Sequence, residues 1–268
     1  MKLLTINTHS LEERDCNKKL IVLAKTISEE IPDIIALQEV NQTRSAKKLS
    51  INPFVNNKYL VCEDNYVASL LKELEKFGVL YYCVWLPVKV GYDKYDEGLA
   101  ILSRLPILDT DDFLISDCNN YFYWKTRRIL GIMTEAGWFY SIHMGWWKDK
   151  EEPFQKQWKR LNKHLKTKKN VWLMGDFNSP ADTAKEGYEL ILSDGWYDSY
   201  KAAKSKDSGF TVEHQIDGWR ENKTNKMRID YIFSNFNADI LSSKVIFNNT
   251  NRSVISDHYG IIIETKEW

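Results

Sequence analysis

Residues that can bind metal ions and transfer protons follow apolar segments at several places in the sequence. In LMGDFNSPAD (173–182), Asp176 and Asn178 come directly after an apolar run and a glycine. Asn7, Glu39 and His143 also lie at or near the ends of apolar segments, and the Asp257-His258 pair directly precedes the last one. A polar group at the end of a buried strand costs free energy unless it is paired or binds a ligand. We therefore predict that these side chains line a common pocket of oxygen atoms and two histidines.

Asp230 lies inside an apolar segment rather than at its end. Alternation along MRIDYIF (227–233) places Asp230 on the same face as Arg228 and Ile232, and leaves the other face apolar. A charged group within so apolar a strand needs a partner, because an unpaired charge is costly to bury.

The predicted ligands are mostly oxygens, which suit a hard divalent cation. Mg²⁺ takes one or two carboxylates, keeps several waters and accepts phosphate oxygens, whereas the cysteines and histidines have no zinc-type spacing. Hydrolysis of a phosphoester needs a metal, a base for water, donors for the developing charge and an acid for the leaving oxygen. The candidates supply all four, so the expected cofactor is Mg²⁺, or Mn²⁺ in its place.

Each candidate also has an ordinary structural explanation when it is considered alone. Asp176 and Asn178 can form an Asx turn that caps the following segment. Glu39 can be a solvated strand end, and His258 can be a surface histidine with satisfied hydrogen bonds. The functional interpretation therefore depends on the whole set.

Hydrophobic periodicity predicts the elements that position these residues. The segments with helical spacing or helix-start signals are 18–31, 64–78 (capped by Asp64 or Asn65), one that begins near Pro153 and one that Ser179-Pro180 opens. Strands outnumber helices and include 2–7, 33–40, 170–176, 227–233 and 259–265. The Ala-Gly turn in RRILGIMTEAGWFYSIHM indicates an antiparallel hairpin. We predict an α/β fold, a single domain over 1–268, in which helices cover two packed mixed sheets.

Composition and charge limit the partners and the compartment. The 37 basic and 37 acidic residues give a net charge of zero, which weakens the case for a DNA-coating protein because phosphate neutralisation drives such binding. The four scattered cysteines are interpreted as reduced thiols. The N-terminus meets charge too early for a signal peptide, and no apolar run approaches the ~20 residues of a membrane span. We expect a cytoplasmic protein with no membrane partner.

Five short motifs occur in order between residues 34 and 260: IALQEV, EGLAILSR, GDFNS, RIDYIF and SDHYG. Together they resemble the endonuclease/exonuclease/phosphatase superfamily, which includes DNase I, exonuclease III-type nucleases, inositol-phosphate phosphatases and neutral sphingomyelinases. The resemblance implies a four-layer α/β/β/α sandwich, DNase I-like, of two mixed sheets flanked by helices. It also implies a metal-dependent phosphoesterase site at one end of the sandwich.

The resemblance assigns the metal and the phosphate contacts. Glu39 would bind Mg²⁺ with Asn7 beside it, and Asp257 would approach the same metal. His258 would contact the scissile phosphate or act as the base, and Asp230 would orient it.

The remaining roles follow from the same motifs. Asp176 would orient water or a metal ligand, and Asn178 would donate to the phosphoryl oxygens. His143 would contact the phosphate or assist the leaving group, and Glu97 would be the acid that pairs with His143. Which of the two histidines is base and which is acid stays open.

Aromatic and basic loop residues are candidates for substrate binding. Trp146, Trp147 and Trp219 lie in aromatic loops and can form platforms for a sugar ring or a nucleobase, or can be core residues. Arg127 and Arg128 are adjacent, so one points inward, where it is either a phosphate clamp or part of a structural salt bridge.

The segments MKLLTINTHS, GYDKYDEGLAILSR and NVWLMGDFNSPAD are most similar to a narrower group, the bacterial maltose 6'-phosphate phosphatases. This similarity implies a small phosphorylated partner, a sugar phosphate, and hydrolysis by an activated water without a covalent intermediate. The alternatives are a nuclease acting on DNA, a sphingomyelinase-like phosphodiesterase and a binding module without activity.

Overall fold

The computed structural model describes residues 1–56, 58–214, 216, 219 and 226–266. The strands within these residues are β1 (Lys2–Asn7), β2 (Ile34–Thr43), β3 (Tyr82–Gly91), β4 (Tyr95–Ser103), β5 (Asp109–Leu114), β6 (Arg128–Thr134), β7 (Gly137–His143), β8 (Val171–Asp176), β9 (Tyr197–Asp198), β10 (Ser205–Lys206), β11 (Asp230–Ser234), β12 (Ile240–Ile246) and β13 (Gly260–Thr265). The helices are α1 (Cys16–Glu30), α2 (Tyr66–Lys76), α3 (Phe154–Leu165), α4 (Gly187–Ser193) and α5 (Ser199–Ala202), and Ser10–Glu12 form a 3₁₀ turn.

The strands form two mixed sheets. The seven-stranded sheet has the order β10-β12-β13-β1-β2-β4-β3, and the six-stranded sheet has the order β5-β6-β7-β8-β11-β9. At the centre of the first sheet, β1 is parallel to β2 and antiparallel to β13. In the second, β7 is parallel to β8, and β11 is antiparallel to β8. The predicted β6–β7 hairpin is confirmed.

Three apolar clusters hold four layers together. Residues such as Leu3, Ile34 and Met174 fill the space between the sheets. Helices α1 and α2 cover the outer face of the first sheet, and α3 covers the second with Trp158 and Leu161. Burial of each large aliphatic side chain contributes about 2 kcal/mol. The predicted α/β/β/α sandwich of two mixed sheets flanked by helices is confirmed.

Two predicted elements were wrong in detail. Ser179-Pro180 does not open a helix, because α4 begins only at Gly187. The Ser179 hydroxyl still accepts a hydrogen bond from the amide of Tyr188 at 3.1 Å, so it caps α4 from a distance. The strand predicted over 227–233 begins at Asp230.

The strand that carries Glu39 also differs from the prediction. It does not stop near residue 40 but continues to Thr43, and a bulge interrupts its pairing with β4 between Leu37 and Val40. Glu39 lies in this bulge with a φ of 51°. An extra residue in one strand redirects a side chain, so the bulge allows Glu39 to face the end of the sandwich. Along the described part of the chain, no helix is long and apolar enough to cross a bilayer.

Candidate active site

The strand ends of both sheets surround a cavity of about 440 Å³ at one end of the sandwich. The predicted site residues that line it are Glu39, Glu97, Arg127, His143, Trp146, Asp176, Asn178, Asp257 and His258. Strand register explains part of this convergence. His143 is in register with Asp176 across β7 and β8, and Asp176 is in register with Asp230 across β8 and β11. Three polar residues therefore form a row on adjacent strands.

His258 and Asp230 form a buried pair beneath the cavity. His258 Nδ1 lies 3.0 Å from Asp230 Oδ2, and both side chains are at most 5% exposed. Burial alone would lower the pKa of His258, but the negative charges of Asp230 and Asp176 outweigh it and raise the pKa well above 6.5. The imidazole is therefore held as a cation whose Nε2 is 3.8 Å from Asp176 Oδ2.

Asp176 is as deeply buried as Asp230, with 1% exposure. It accepts hydrogen bonds from the backbone amide of Asn178 at 2.8 Å and from Asn7 Nδ2 at 3.2 Å. Burial raises the pKa of Asp176 to about 7, although the His258 cation opposes the shift. A carboxyl group that titrates near neutrality can exchange a proton with water at physiological pH.

The glycine before Asp176 has a specific structural role. Gly175 has a φ of 146°, and a Cβ there would lie 2.1 Å from the carbonyl oxygen of Ile142. Only glycine permits this close approach of β8 to β7. The approach aligns Asp176 with His143 at the strand ends.

The negative charge of the Glu39 carboxylate has little compensation from neighbouring positive charges. Its side chain is 17% exposed and accepts a hydrogen bond from Asn7 Nδ2 at 2.9 Å. The pKa of Glu39 is raised by burial first and then by the negative charges of Glu97 and Asp257. Three neighbouring carboxylates repel one another, so a cation among them would be strongly stabilised.

His9 was not among the predicted site residues, yet it lines the cavity. His9 Nδ1 lies 2.9 Å from Glu13 Oε1 and 3.9 Å from Asp257 Oδ1. Glu13 also binds Lys19. Burial alone would lower the pKa of His9, but its hydrogen bond to Glu13 and the charges of Asp257 and Glu39 raise the pKa to about 9.

The expected pairing of Glu97 with His143 was wrong. Glu97 instead forms a buried salt bridge with Lys89, with Lys89 Nζ 3.1 Å from Glu97 Oε1. Lys89 lines the cavity and was not among the predicted residues. The pKa of Lys89 is lowered by burial and by the positive charge of Arg127.

The adjacent arginines point in different directions, as the sequence predicted. Arg127 is the inward one, is 3% exposed and lines the cavity. Arg128 does not reach the cavity. Its Nη2 binds Asp112 Oδ1 at 2.5 Å, on neighbouring strands β6 and β5. Arg128 is therefore part of a structural ion pair and not a substrate ligand, because β alternation turns it away from Arg127.

His143 has an environment opposite to that of His258. Its Nε2 lies 3.7 Å from Asp176 Oδ2 and 3.9 Å from Glu39 Oε1. Burial and the positive charges of Arg127 and Lys89 lower the pKa of His143 well below 6.5. This imidazole is therefore neutral at physiological pH.

The three candidate tryptophans occupy different surroundings. Trp146 lines the cavity, whereas Trp147 packs against Phe154 under α3 and does not reach it. Trp219 Nε1 donates to Asn178 Oδ1 at 3.0 Å, so it supports the site through Asn178. Most of the predicted aromatic loop 216–225 lies outside the described residues.

Asn178 lines the cavity, but its side-chain amide is hydrogen-bonded mainly to neighbouring protein atoms. Its Nδ2 donates to the carbonyl oxygen of Met144 at 3.0 Å and lies 3.4 Å from Asp176 Oδ2. Its φ is 47°, a left-handed conformation that asparagine tolerates. These contacts favour a positioning role, in which Asn178 fixes the carboxyl group of Asp176.

The donor set fits a divalent cation. Two groups of described residues have ligand atoms within 4.8 Å of one another: Asp176, Asp230 and His258, and His9, Glu13 and Asp257. In the first group Asp230 already binds His258, and in the second Lys19 already binds Glu13. Glu39, with Asn7 and Asp257 nearby, is thus the carboxylate whose charge is least compensated and which could hold a metal ion.

Comparison with known proteins identifies relatives of this chain. The profile of the Endonuclease/Exonuclease/phosphatase family matches residues 4–258, whereas the search of curated proteins found no match. A solved structure of an endonuclease/exonuclease/phosphatase family protein from Leptotrichia buccalis C-1013-b has 37% identity and a TM-score of 0.87, with 99% of both chains covered.

Two more distant structures share the fold. The mannosyl-6-phosphatase from Bacteroides thetaiotaomicron VPI-5482 has 18% identity and a TM-score of 0.68, with 99% of each chain covered. The 3'-5' exonuclease NExo from Neisseria meningitidis has 19% identity and a TM-score of 0.65, with 100% of each covered. Since the family profile spans most of the sequence, this chain belongs to the endonuclease/exonuclease/phosphatase family of phosphoric ester hydrolases.

Proposed function

We propose that this protein is a divalent-metal-dependent phosphatase that releases phosphate from a sugar phosphate, such as the phosphorylated disaccharide maltose 6'-phosphate. The observation that carries the proposal is the convergence of three different groups on one cavity. These are the cationic imidazole of His258, a carboxyl group with a pKa near neutrality (Asp176) and a partly buried carboxylate whose charge is weakly compensated (Glu39). In that order, they can donate to the developing charge, accept a proton from water and bind a metal ion, which are three of the four requirements of phosphoester hydrolysis.

The metal site consists of Glu39, with Asn7 orienting its carboxylate and Asp257 nearby. Mg²⁺, or Mn²⁺, bound there would neutralise negative charge on the phosphoryl group as a Lewis acid. Asn7 donates to both Glu39 and Asp176, so it couples the position of the metal ligand to that of the second carboxylate.

Proton transfer is assigned to Asp176. With a pKa of about 7 it can accept a proton from the attacking water while remaining partly ionised at neutral pH. His258, held as a cation by Asp230, donates to the phosphoryl oxygens and stabilises the negative charge of the transition state. His143 is neutral and therefore suits a hydrogen bond to the phosphate or the leaving oxygen.

The rim of the cavity supports a sugar rather than a polynucleotide. Trp124 is 52% exposed and lines the cavity, and its ring centroid lies 5.9 Å from that of Trp146. The basic residue beside it, Lys125, is held by Asp149 and Glu151. Aromatic faces bind the apolar side of a sugar ring, and a rim lysine that is already paired adds little attraction for a DNA backbone.

A screen of phosphate release tests the proposal. The purified protein is assayed with Mg²⁺ or Mn²⁺ on phosphorylated mono- and disaccharides, nucleotides and abasic DNA, with and without a chelator. We expect metal-dependent release from a sugar phosphate. Cleavage of DNA without turnover of any sugar phosphate would instead identify a nuclease, the function of the similar NExo.

Calorimetry tests the metal site independently of activity. Glu39→Gln is expected to weaken Mg²⁺ or Mn²⁺ binding by at least about 10-fold. The control Glu63→Gln removes an exposed carboxylate paired with Lys47, and should leave binding unchanged. Equal metal affinity in the wild type and Glu39→Gln would remove Glu39 from the metal site.

A further inference from the structure

Two buried cations share a single backbone oxygen at one side of the cavity. Lys89 Nζ donates to the carbonyl oxygen of Trp124 at 2.8 Å, and Arg127 Nη1 donates to the same oxygen at 3.0 Å. Lys89 is 7% exposed and Arg127 is 3% exposed. Glu97 compensates Lys89, but across the described residues no carboxylate lies within ion-pair distance of Arg127. A buried charge of this kind is costly without an anionic partner.

The same side of the cavity has two hydrogen-bond donors without acceptors. Arg127 Nε and Trp146 Nε1 are buried, and neither has a partner anywhere in the described parts of the chain. The centroid of the Trp146 ring lies 5.8 Å from the guanidinium carbon of Arg127, so both donors belong to one patch. Unsatisfied buried donors are rare in native proteins because each costs about 1–3 kcal/mol. A ligand with several acceptor oxygens would satisfy both.

This patch lies beside the proposed reaction centre. Lys89, Arg127 and His143 all line the cavity and also enclose a neighbouring void of about 10 Å³, so they pack closely around one another. His143 in turn approaches Glu39 and Asp176. A phosphoryl group held between the acidic residues and His143 would therefore face the patch with its remaining oxygen.

We propose that Lys89, Arg127 and the indole N–H of Trp146 form a receptor for the third terminal oxygen of a dianionic phosphoryl group, and thereby select phosphate monoesters over diesters. This inference rests on the proposed function. A monoester has three terminal oxygens and close to two negative charges at pH 7, whereas a diester has two such oxygens and one charge. In a diester, the third position carries an alkoxy group that is a poor acceptor for a guanidinium. The patch therefore discriminates by charge and by hydrogen bonding.

Binding of two matched anions tests the receptor. Methylphosphonate resists hydrolysis and is mainly a dianion at pH 8.5, and its monomethyl ester has a single charge. By calorimetry with the Mg²⁺-loaded protein, we expect the dianion to bind at least about 10-fold more tightly. Trp146→Phe keeps the ring but removes the N–H, and should weaken methylphosphonate binding by about 10-fold while changing monomethyl ester binding little. Arg127→Gln should reduce the preference further.

Two residues of the same types provide matched controls. Trp147→Phe and Arg160→Gln alter residues that lie outside both the cavity and the neighbouring void, so both should retain the dianion preference. Trp146→Phe is nearly isosteric and keeps the test valid if Arg127→Gln fails to fold. Unchanged methylphosphonate affinity in Trp146→Phe would overturn the receptor even if phosphate release is observed. Absence of phosphate release from every ester would instead overturn the proposed function, whatever the affinities.

Discussion

The cavity has an acidic side and a basic side, and each contains a histidine with a different charge. On the acidic side, Asp230 and Asp176 raise the pKa of His258 well above 6.5, against the effect of burial. On the basic side, burial, Arg127 and Lys89 lower the pKa of His143 well below 6.5. Both rings are at most 10% exposed, so the difference comes from their charged neighbours and not from solvent access.

This difference assigns separate tasks to two residues of the same type. A cationic imidazole can stabilise the charge that develops on the phosphoryl oxygens. A neutral imidazole can form a hydrogen bond with the leaving oxygen. In the proposed function, a metal ion would supply positive charge to the acidic side, and the substrate would supply negative charge to the basic side. The two sides together would thus bind a metal and a phosphate next to each other.

The largest expected effect follows from disabling the acidic side. Asp176→Asn and His258→Ala should each reduce kcat/KM by about 10³-fold or more, because the first removes the proton acceptor and the second removes the cation. Phosphate release is measured at saturating metal, and circular dichroism with thermal melting checks that both variants fold.

The control for these variants lies on the outer surface. His164→Ala alters a histidine of α3 that pairs with Asp111, and neither residue lines the cavity, so kcat/KM should stay within about 2-fold of the wild type. A loss of about 10-fold or less in both Asp176→Asn and His258→Ala would contradict the assignment of the acidic side.

The acidic side was largely predictable from sequence, for a physical reason. Its residues stand at strand ends, and apolar strands that terminate in acids, amides or imidazoles produce a recognisable local pattern. Asp176 at the end of β8 is an example, whereas His258 lies just before β13. The resemblance based on the five motifs added the pairing of His258 with Asp230. The layered fold was predictable for a similar reason, since apolar periodicity marks each buried strand and the inner face of α3.

The basic side was much less predictable, because long-range packing creates it. Lys89 lies in an apolar strand, where alternation alone gives a lysine an ordinary solvent-facing position. Its burial depends on the carbonyl oxygen of Trp124, which is 35 residues away. Adjacent residues such as Trp146 and Trp147 also cannot be told apart by type. The bulge at Glu39 has no local sequence signal, so the strand was predicted to end there.

A third histidine sharpens the comparison through protein stability. The pKa of His9 is raised to about 9, from 6.5, by its hydrogen bond to Glu13 and by the charges of Asp257 and Glu39. A raised pKa in the folded state contributes stability that is complete below pH 6.5 and is lost as pH rises through 9. With a chelator present, the free energy of unfolding of the wild type should exceed that of His9→Gln by about 2–3 kcal/mol at pH 6. This difference should decline by pH 9.5.

Denaturant unfolding at several pH values measures this difference. Glu13→Gln removes the hydrogen-bond partner and should also reduce the dependence on pH between 6.5 and 9. If His9→Gln lowered stability equally at pH 6 and pH 9.5, the acidic side would not control the charge of His9.

The smallest expected effects are shifts in the titration of the two cavity histidines, followed by NMR of the ring carbons in chelator. Lys89→Met should raise the pKa of His143, because it removes one of the cations that disfavour the protonated ring. Asp230→Asn should lower the pKa of His258, because it removes the nearest anion and the main hydrogen bond. Lys159→Met alters a residue that lines a surface groove beside α3, and it should change neither the pKa of His143 nor that of His258. Similar pKa values for His143 and His258 in the wild type would show that the two sides do not impose opposite charges.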